Sequence, residues 1–182
     1  MKTIKLLLFV TLILSVIPLI VCAQETPQAE VSVGYSYIHV GSISSNASTG
    51  VPPTINLHGA DLSISGNLNE WLGVVADLGY YHSSGFVVPV NSVSYLFGPR
   101  LSYRKNERVT PFFQTLFGGF HTNSGVKDNA FAMTVGGGVD VKVSRSVAIR
   151  AAQAEYMLTR SFGDTQHNFR FSAGVVFRFG GK

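Results

Sequence analysis

From Ala29 to Phe179 the chain repeats one pattern, with large apolar side chains at every second position and glycine, serine or charge between them. A period of two belongs to an extended strand, whose side chains point alternately to opposite faces. The clearest case sets Phe169, Phe171, Ala173, Val175, Phe177 and Phe179 against Arg170, Ser172, Gly174 and Arg178. Leu72, Val74, Ala76, Leu78 and Tyr80 oppose Gly73, Asp77 and Gly79 in the same way, and Val93, Tyr95, Phe97, Leu101 and Tyr103 oppose Ser94, Gly98, Arg100 and Ser102. Eight such stretches are predicted, over residues 30–40, 57–68, 71–82, 92–104, 110–121, 130–143, 146–158 and 168–179.

The two faces decide what these strands build. Glycine and serine are too small to fill the core of a soluble barrel, whereas a narrow polar lumen accommodates them and leaves the apolar face for hydrocarbon. The charged fraction of 13%, against about 25% in soluble domains, suits a surface turned to lipid. Beyond the first 23 residues no apolar run approaches helical spanning length, so any crossing must use strands of roughly 9 to 11 residues. Long links rich in Ser, Asn, Gly and Pro are expected after the first, third, fifth and seventh strands, and short ones at Asn69-Glu70, residues 105–109 and Ser144-Arg145. That asymmetry matches the external loops and periplasmic turns of outer-membrane barrels. The predicted fold is therefore all-β, an eight-stranded antiparallel up-and-down transmembrane β-barrel, sited in the bacterial outer membrane. Two stretches fit the alternation badly. Phe112, Leu116 and Phe120 share a face with Gln114, and Gln153 and Glu155 fall on the parity of Val147 and Ile149 unless a bulge near Ala152 turns Glu155 inward.

Lys2 and Lys5 precede an apolar run from Leu6 to Ile20, followed by Val21-Cys22-Ala23, the order of a secretory signal peptide. Residues 1–23 are expected to be that signal and 24–182 the barrel domain. Cys22 is the single cysteine, so neither a disulfide nor a thiolate metal site is expected after cleavage. A net charge of +4, with no Lys/Arg cluster interleaved with aromatics, argues against a nucleic-acid partner.

The last strand reads Ser172-Ala173-Gly174-Val175-Val176-Phe177-Arg178-Phe179. This resembles the C-terminal assembly signal of outer-membrane barrels, with Gly174, Phe177 and Phe179 at its defining positions. Together with Gly98-Pro99-Arg100, Thr110-Pro111-Phe112 and Gly136-Gly137-Gly138-Val139-Asp140, the chain resembles the small OmpA/OmpX-type outer-membrane β-barrel family over almost all of its strand region. The resemblance implies delivery by the barrel-assembly machinery, a surrounding of outer-membrane lipid including lipopolysaccharide, and a monomer. A peptidoglycan-binding domain after the last strand is not expected, and cell-wall tethering is not carried over from the resemblance.

Asp61, Asp77, Arg100, Asp140, Lys142, Arg150, Arg170 and Arg178 share the predicted inward parity. Unpaired buried charge is expensive, and eight strands leave room only for side chains. These residues are therefore expected to plug the lumen with ion pairs; a water-filled pore, or a path opened by exchange of Arg and Asp partners, is the rival. His39, His58, His82, His121 and His167 lie near the predicted outer ends of strands on the lipid-facing parity. Imidazole is amphipathic and gains charge near about pH 6.5, so they are expected to form a ring against phosphorylated headgroups that tightens as pH falls. A metal site is not expected, because ligands must converge and these spread around a perimeter. His82-Ser83-Ser84 resembles the His-x-Ser pair of lipid A deacylases, but a serine nucleophile needs a base oriented by an acid. No carboxylate shares that face near His82, so no enzyme and no cofactor are expected. A structural or adhesive role follows, with a possible extracellular ligand at residues 41–55. The alternatives are a lipid-modifying hydrolase, a small-solute channel and a soluble carrier.

Overall fold

A computed structural model of the chain describes residues 26–40, 55–83, 90–123, 127–161 and 164–180. Eight strands, β1 (Ala29–Val40), β2 (Ile55–Asn67), β3 (Leu72–Ser83), β4 (Val90–Ser102), β5 (Val109–Asn123), β6 (Lys127–Lys142), β7 (Val147–Ser161) and β8 (Asp164–Phe179), form a closed barrel in chain order. Every neighbour is antiparallel, and β8 closes the sheet on β1 from Ala29↔Phe179 to Val40↔Asn168. Closure removes both sheet edges and so satisfies the backbone in hydrocarbon, where water cannot. The predicted leader over residues 1–23, the segment 41–54 and Ser84 lie outside the described residues.

The faces divide as the alternation requires. Tyr35, Ile64, Leu78, Phe97, Phe113, Phe131, Phe171 and Phe177 are exposed on the outside, whereas Ser32, Ser36, Asp61, Asp77, Ser94 and Arg170 are buried within. The β4–β5 wall is drawn in tightly at its glycines. An added Cβ on Gly98 would stand 2.0 Å from the Thr115 carbonyl oxygen, and one on Gly118 1.9 Å from that of Tyr95. Only a residue without a Cβ permits that approach.

The short turns lie at one end, and two of them are held by asparagine. Asn69 Oδ1 accepts from the backbone N–H groups of Trp71 and Leu72, and Asn106 Oδ1 from those of Arg108 and Val109. Asn is suited to this because its side chain can stand in for a turn carbonyl. At the opposite, outer end, the expectation of four long links is corrected. β5 to β8 run to 15 or 16 residues, and pairing continues to Asn123↔Lys127 and Ser161↔Asp164. Polar residues such as Asn129, Thr165 and Gln166 suggested loops, yet a hairpin ladder carries polar side chains readily once it leaves the hydrocarbon.

The two irregular stretches are also resolved. In β7 the register shifts between Arg150 and Gln153 on the β8 side, and Ala151 and Ala152 both face outward. The bulge turns Gln153 and Glu155 into the lumen, where they are buried. In β5 the face bearing Phe112, Gln114 and Leu116 is the inner one. With Ile38, Val40, Leu57, Leu96 and Met157, Leu116 belongs to an apolar cluster filling the lumen from mid-barrel toward its outer end. Among the described residues the charges thus sit in the lower and middle lumen, while its outer end is lined by apolar side chains together with Ser83, Ser92, Thr159 and Asn168, which the alternation alone does not reveal.

Candidate functional site

Two constellations carry chemistry, one inside the wall and one outside it. Inside, five carboxylates (Glu30, Asp61, Asp77, Asp140, Glu155) meet five guanidinium groups (Arg100, Arg104, Arg150, Arg170, Arg178) among the described residues. Equal numbers leave this set without net formal charge.

Arg170, 1% exposed, is the hub. Its Nε donates to Glu155 Oε2 at 2.6 Å, its Nη1 donates to Asp77 Oδ1 at 2.7 Å, and its Nη2 lies 2.5 Å from the same Glu155 oxygen at ion-pair distance. Gln114 extends the chain of bonds, donating to Glu155 Oε1 at 2.8 Å and accepting from Arg100 Nε at 2.9 Å. Arg150 grips Asp140 with both Nε (2.9 Å) and Nη2 (3.2 Å), while its Nη1 donates to Ser32 and Gln153. Such a two-toothed grip is the strongest form of this pair. Phe112 lies against two of these cations: the Arg100 and Arg150 guanidinium carbons lie 4.5 and 4.6 Å from its ring centroid, within cation–π range. At the periplasmic mouth Glu30 accepts from Arg104 at 3.2 and 3.3 Å and lies 3.2 Å from Arg178.

Most of the charges predicted inward are there, with one correction. Lys142 is exposed at the end of β6, where the strand has passed the lumen mouth and its long side chain reaches water. Asp61 is buried but outside the bonded network: its Oδ1 has no hydrogen-bond partner. Glu30, Arg104, Gln114, Gln153 and Glu155 join what was predicted. Glu30 and Arg104 were legible by parity with Ser32 and Ser102, whereas Gln153 and Glu155 are reached only through the bulge. Gly174 lies opposite Gly34 on β1, while Phe177 and Phe179 face outward at the periplasmic end of β8.

Outside, the histidines occupy β8, β1, β2, β3 and β5, an arc rather than a full ring. Each uses Nδ1 to bond a neighbouring strand. His39 bonds Asn56 Oδ1 at 2.9 Å, His82 bonds Asn91 Oδ1 at 2.8 Å and His121 bonds Asn129 Oδ1 at 2.7 Å, while His58 bonds the Tyr35 hydroxyl and His167 that of Tyr156. Ser83 is buried on the opposite face from His82, so the two do not form a nucleophile and base. Among the described residues no three His, Cys, Asp or Glu side chains gather where a metal could be held.

The sequence signature of the outer membrane protein beta-barrel domain spans residues 9–179. This chain belongs to that family. Its structure resembles Neisserial surface protein A (TM-score 0.67, 14% identity, 84% of this chain and 97% of that one). It also resembles Ail, the attachment invasion locus protein of Yersinia pestis (TM-score 0.58, 18% identity, 85% and 99%). A third likeness is to the N-terminal barrel domain of Pseudomonas aeruginosa OprF (TM-score 0.53, 14% identity, 84% and 98%). No curated protein sequence matches. The family places the chain in the bacterial outer membrane, with the apolar outer face against lipid.

Proposed function

We propose that this barrel is a sealed, non-catalytic scaffold that holds its outer segments, residues 41–55 above all, for surface interaction. The observation that carries this reading is the filled lumen. Arg100, Arg150 and Arg170 are 2%, 3% and 1% exposed, and an apolar cluster shares the lumen with them. A barrel of eight strands has no spare width for solutes once such side chains are packed in it. A monomer delivered by the barrel-assembly machinery belongs to the same reading. An extracellular polyanion is the ligand class to try first, since Ail has been solved in complex with the heparin analogue sucrose octasulfate.

Planar-bilayer recording combined with heparin binding tests both halves. The wild-type protein should give no steady conductance, while Phe112→Ala, which removes the ring shared by Arg100 and Arg150, should leak. Cells displaying the barrel should bind heparin, and deletion of residues 42–54 should abolish that binding. Steady wild-type channels would transfer the function to solute passage, and binding that survives the deletion would remove the segment from it.

A further inference from the structure

Three of the histidines stand on consecutive strands and form one patch. His58 and His82 are register partners across β2 and β3, and His39 lies two residues beyond Tyr37, the partner of His58 on β1. The phenols complete it: the Tyr35 hydroxyl bonds His58, the Tyr37 ring centroid lies 5.2 Å from that of His58, and the Tyr80 hydroxyl donates to Asn91 Oδ1 at 3.2 Å, the oxygen His82 already uses. His58 and His82 are exposed, and His39 is half-buried. We propose that this patch binds the phosphate of an outer-leaflet lipid headgroup, and does so in its protonated form.

The bonds at Nδ1 supply the reason. Asn Oδ1 is only an acceptor, so Nδ1 of His39 and of His82 must carry the hydrogen. In the neutral ring Nε2 is then a bare lone pair, which repels a phosphate oxygen. Protonation keeps the bond to asparagine intact and turns Nε2 into a charged donor, the partner a phosphate accepts. The asparagines thus make donation to phosphate conditional on proton uptake, which imidazole ordinarily undergoes near about pH 6.5.

Nothing else on that face could neutralise the ligand. Among the described residues of the outer halves of β8, β1, β2, β3 and β4, the outward positions hold no Asp, Glu, Lys or Arg. The titratable groups facing the patch are Tyr35, Tyr37, Tyr80 and Tyr95, with His167 beyond them on β8. Asp61 and Arg170 lie on the inner side of the wall. Lipid is the occupant because the patch continues the exposed Tyr35, Tyr80, Tyr95 and Phe97 surface that faces the membrane.

Spin-labelled lipid association with the barrel in phosphatidylcholine vesicles gives the test, using phosphatidylglycerol as probe because its phosphodiester charge is constant across the range. Selectivity for phosphatidylglycerol over phosphatidylcholine should rise about fivefold between about pH 8 and pH 5.5. The triple variant His39→Gln, His58→Gln, His82→Gln should show no rise, whereas His121→Gln should keep it. If the triple variant does not fold, as its gel mobility would reveal, the single variant His82→Gln should lower the rise at least twofold. Selectivity independent of pH in the wild-type protein, or a full rise in the histidine variants, would overturn the proposal.

Discussion

Replacing Arg170 with methionine should cost the barrel about 3 to 5 kcal/mol. At its separations of 2.5 and 2.7 Å from Glu155 and Asp77, and with an effective dielectric of about 20, each pair attracts by roughly 6 kcal/mol. Most of that offsets the several kcal/mol needed to strip each ion of water. Removing only the cation leaves the stripping cost of two carboxylates, both 2% exposed, without its compensation. Glu155 keeps the bond from Gln114, but Asp77 has no other hydrogen-bond partner among the described residues, so Asp77 accounts for the larger part. The triple variant Arg170→Met, Asp77→Leu, Glu155→Met should recover wild-type stability within about 1 kcal/mol, because a buried ion pair is seldom better than apolar side chains of similar size. Guanidinium unfolding in detergent micelles, followed by the fluorescence of Trp71, the single tryptophan, measures all three proteins. A single variant within about 1 kcal/mol of wild type, or a triple variant no better than the single one, would refute the reasoning.

Asp61→Asn should behave in the opposite way to loss of a paired carboxylate: with Oδ1 already lacking a partner, the change should leave unfolding free energy unaltered or raise it by about 1 kcal/mol. A clear loss in the same unfolding assay would show that Asp61 is bonded after all. Gly118→Val should keep the protein in its unfolded gel band, since the new Cβ meets a carbonyl oxygen at 1.9 Å, whereas Gly66→Ala, whose nearest neighbour is a Val74 methyl at 3.9 Å, should fold normally. Equal folding of the two would contradict the packing described for the β4–β5 wall.

What could be read from the amino acids followed from how directly the solvent enforces it. The alternation in β3 and β8 is imposed at every position by hydrocarbon on one side and a crowded lumen on the other, so strand number, facing and most of the inward charges were legible. A bulge is a local event of one extra residue, and the break in rhythm near Ala152 pointed to one that would turn Glu155 inward, as it does, with Gln153 beside it. Lys142 shows the limit of parity, which assigns a face but not whether the strand still encloses anything at that height. The reach of β5 to β8 was hidden for a related reason: Asn129 and Gln166 are polar because they stand in water, a property that strands above the membrane share with loops. Nothing in the spacing of the histidines disclosed that each would find an asparagine or tyrosine on the adjoining strand.

The seam between β8 and β1 is uneven at its outer end. β8 runs four residues past its last pair with β1, Val40↔Asn168, as far as Asp164, about 14 Å at about 3.4 Å per residue. A visitor from outside the cell would meet a stiff parapet on one flank. The histidine patch lies on the lower flank, at the level of the lipid, so large surface ligands and single lipid molecules could be engaged at the same time without competing for space.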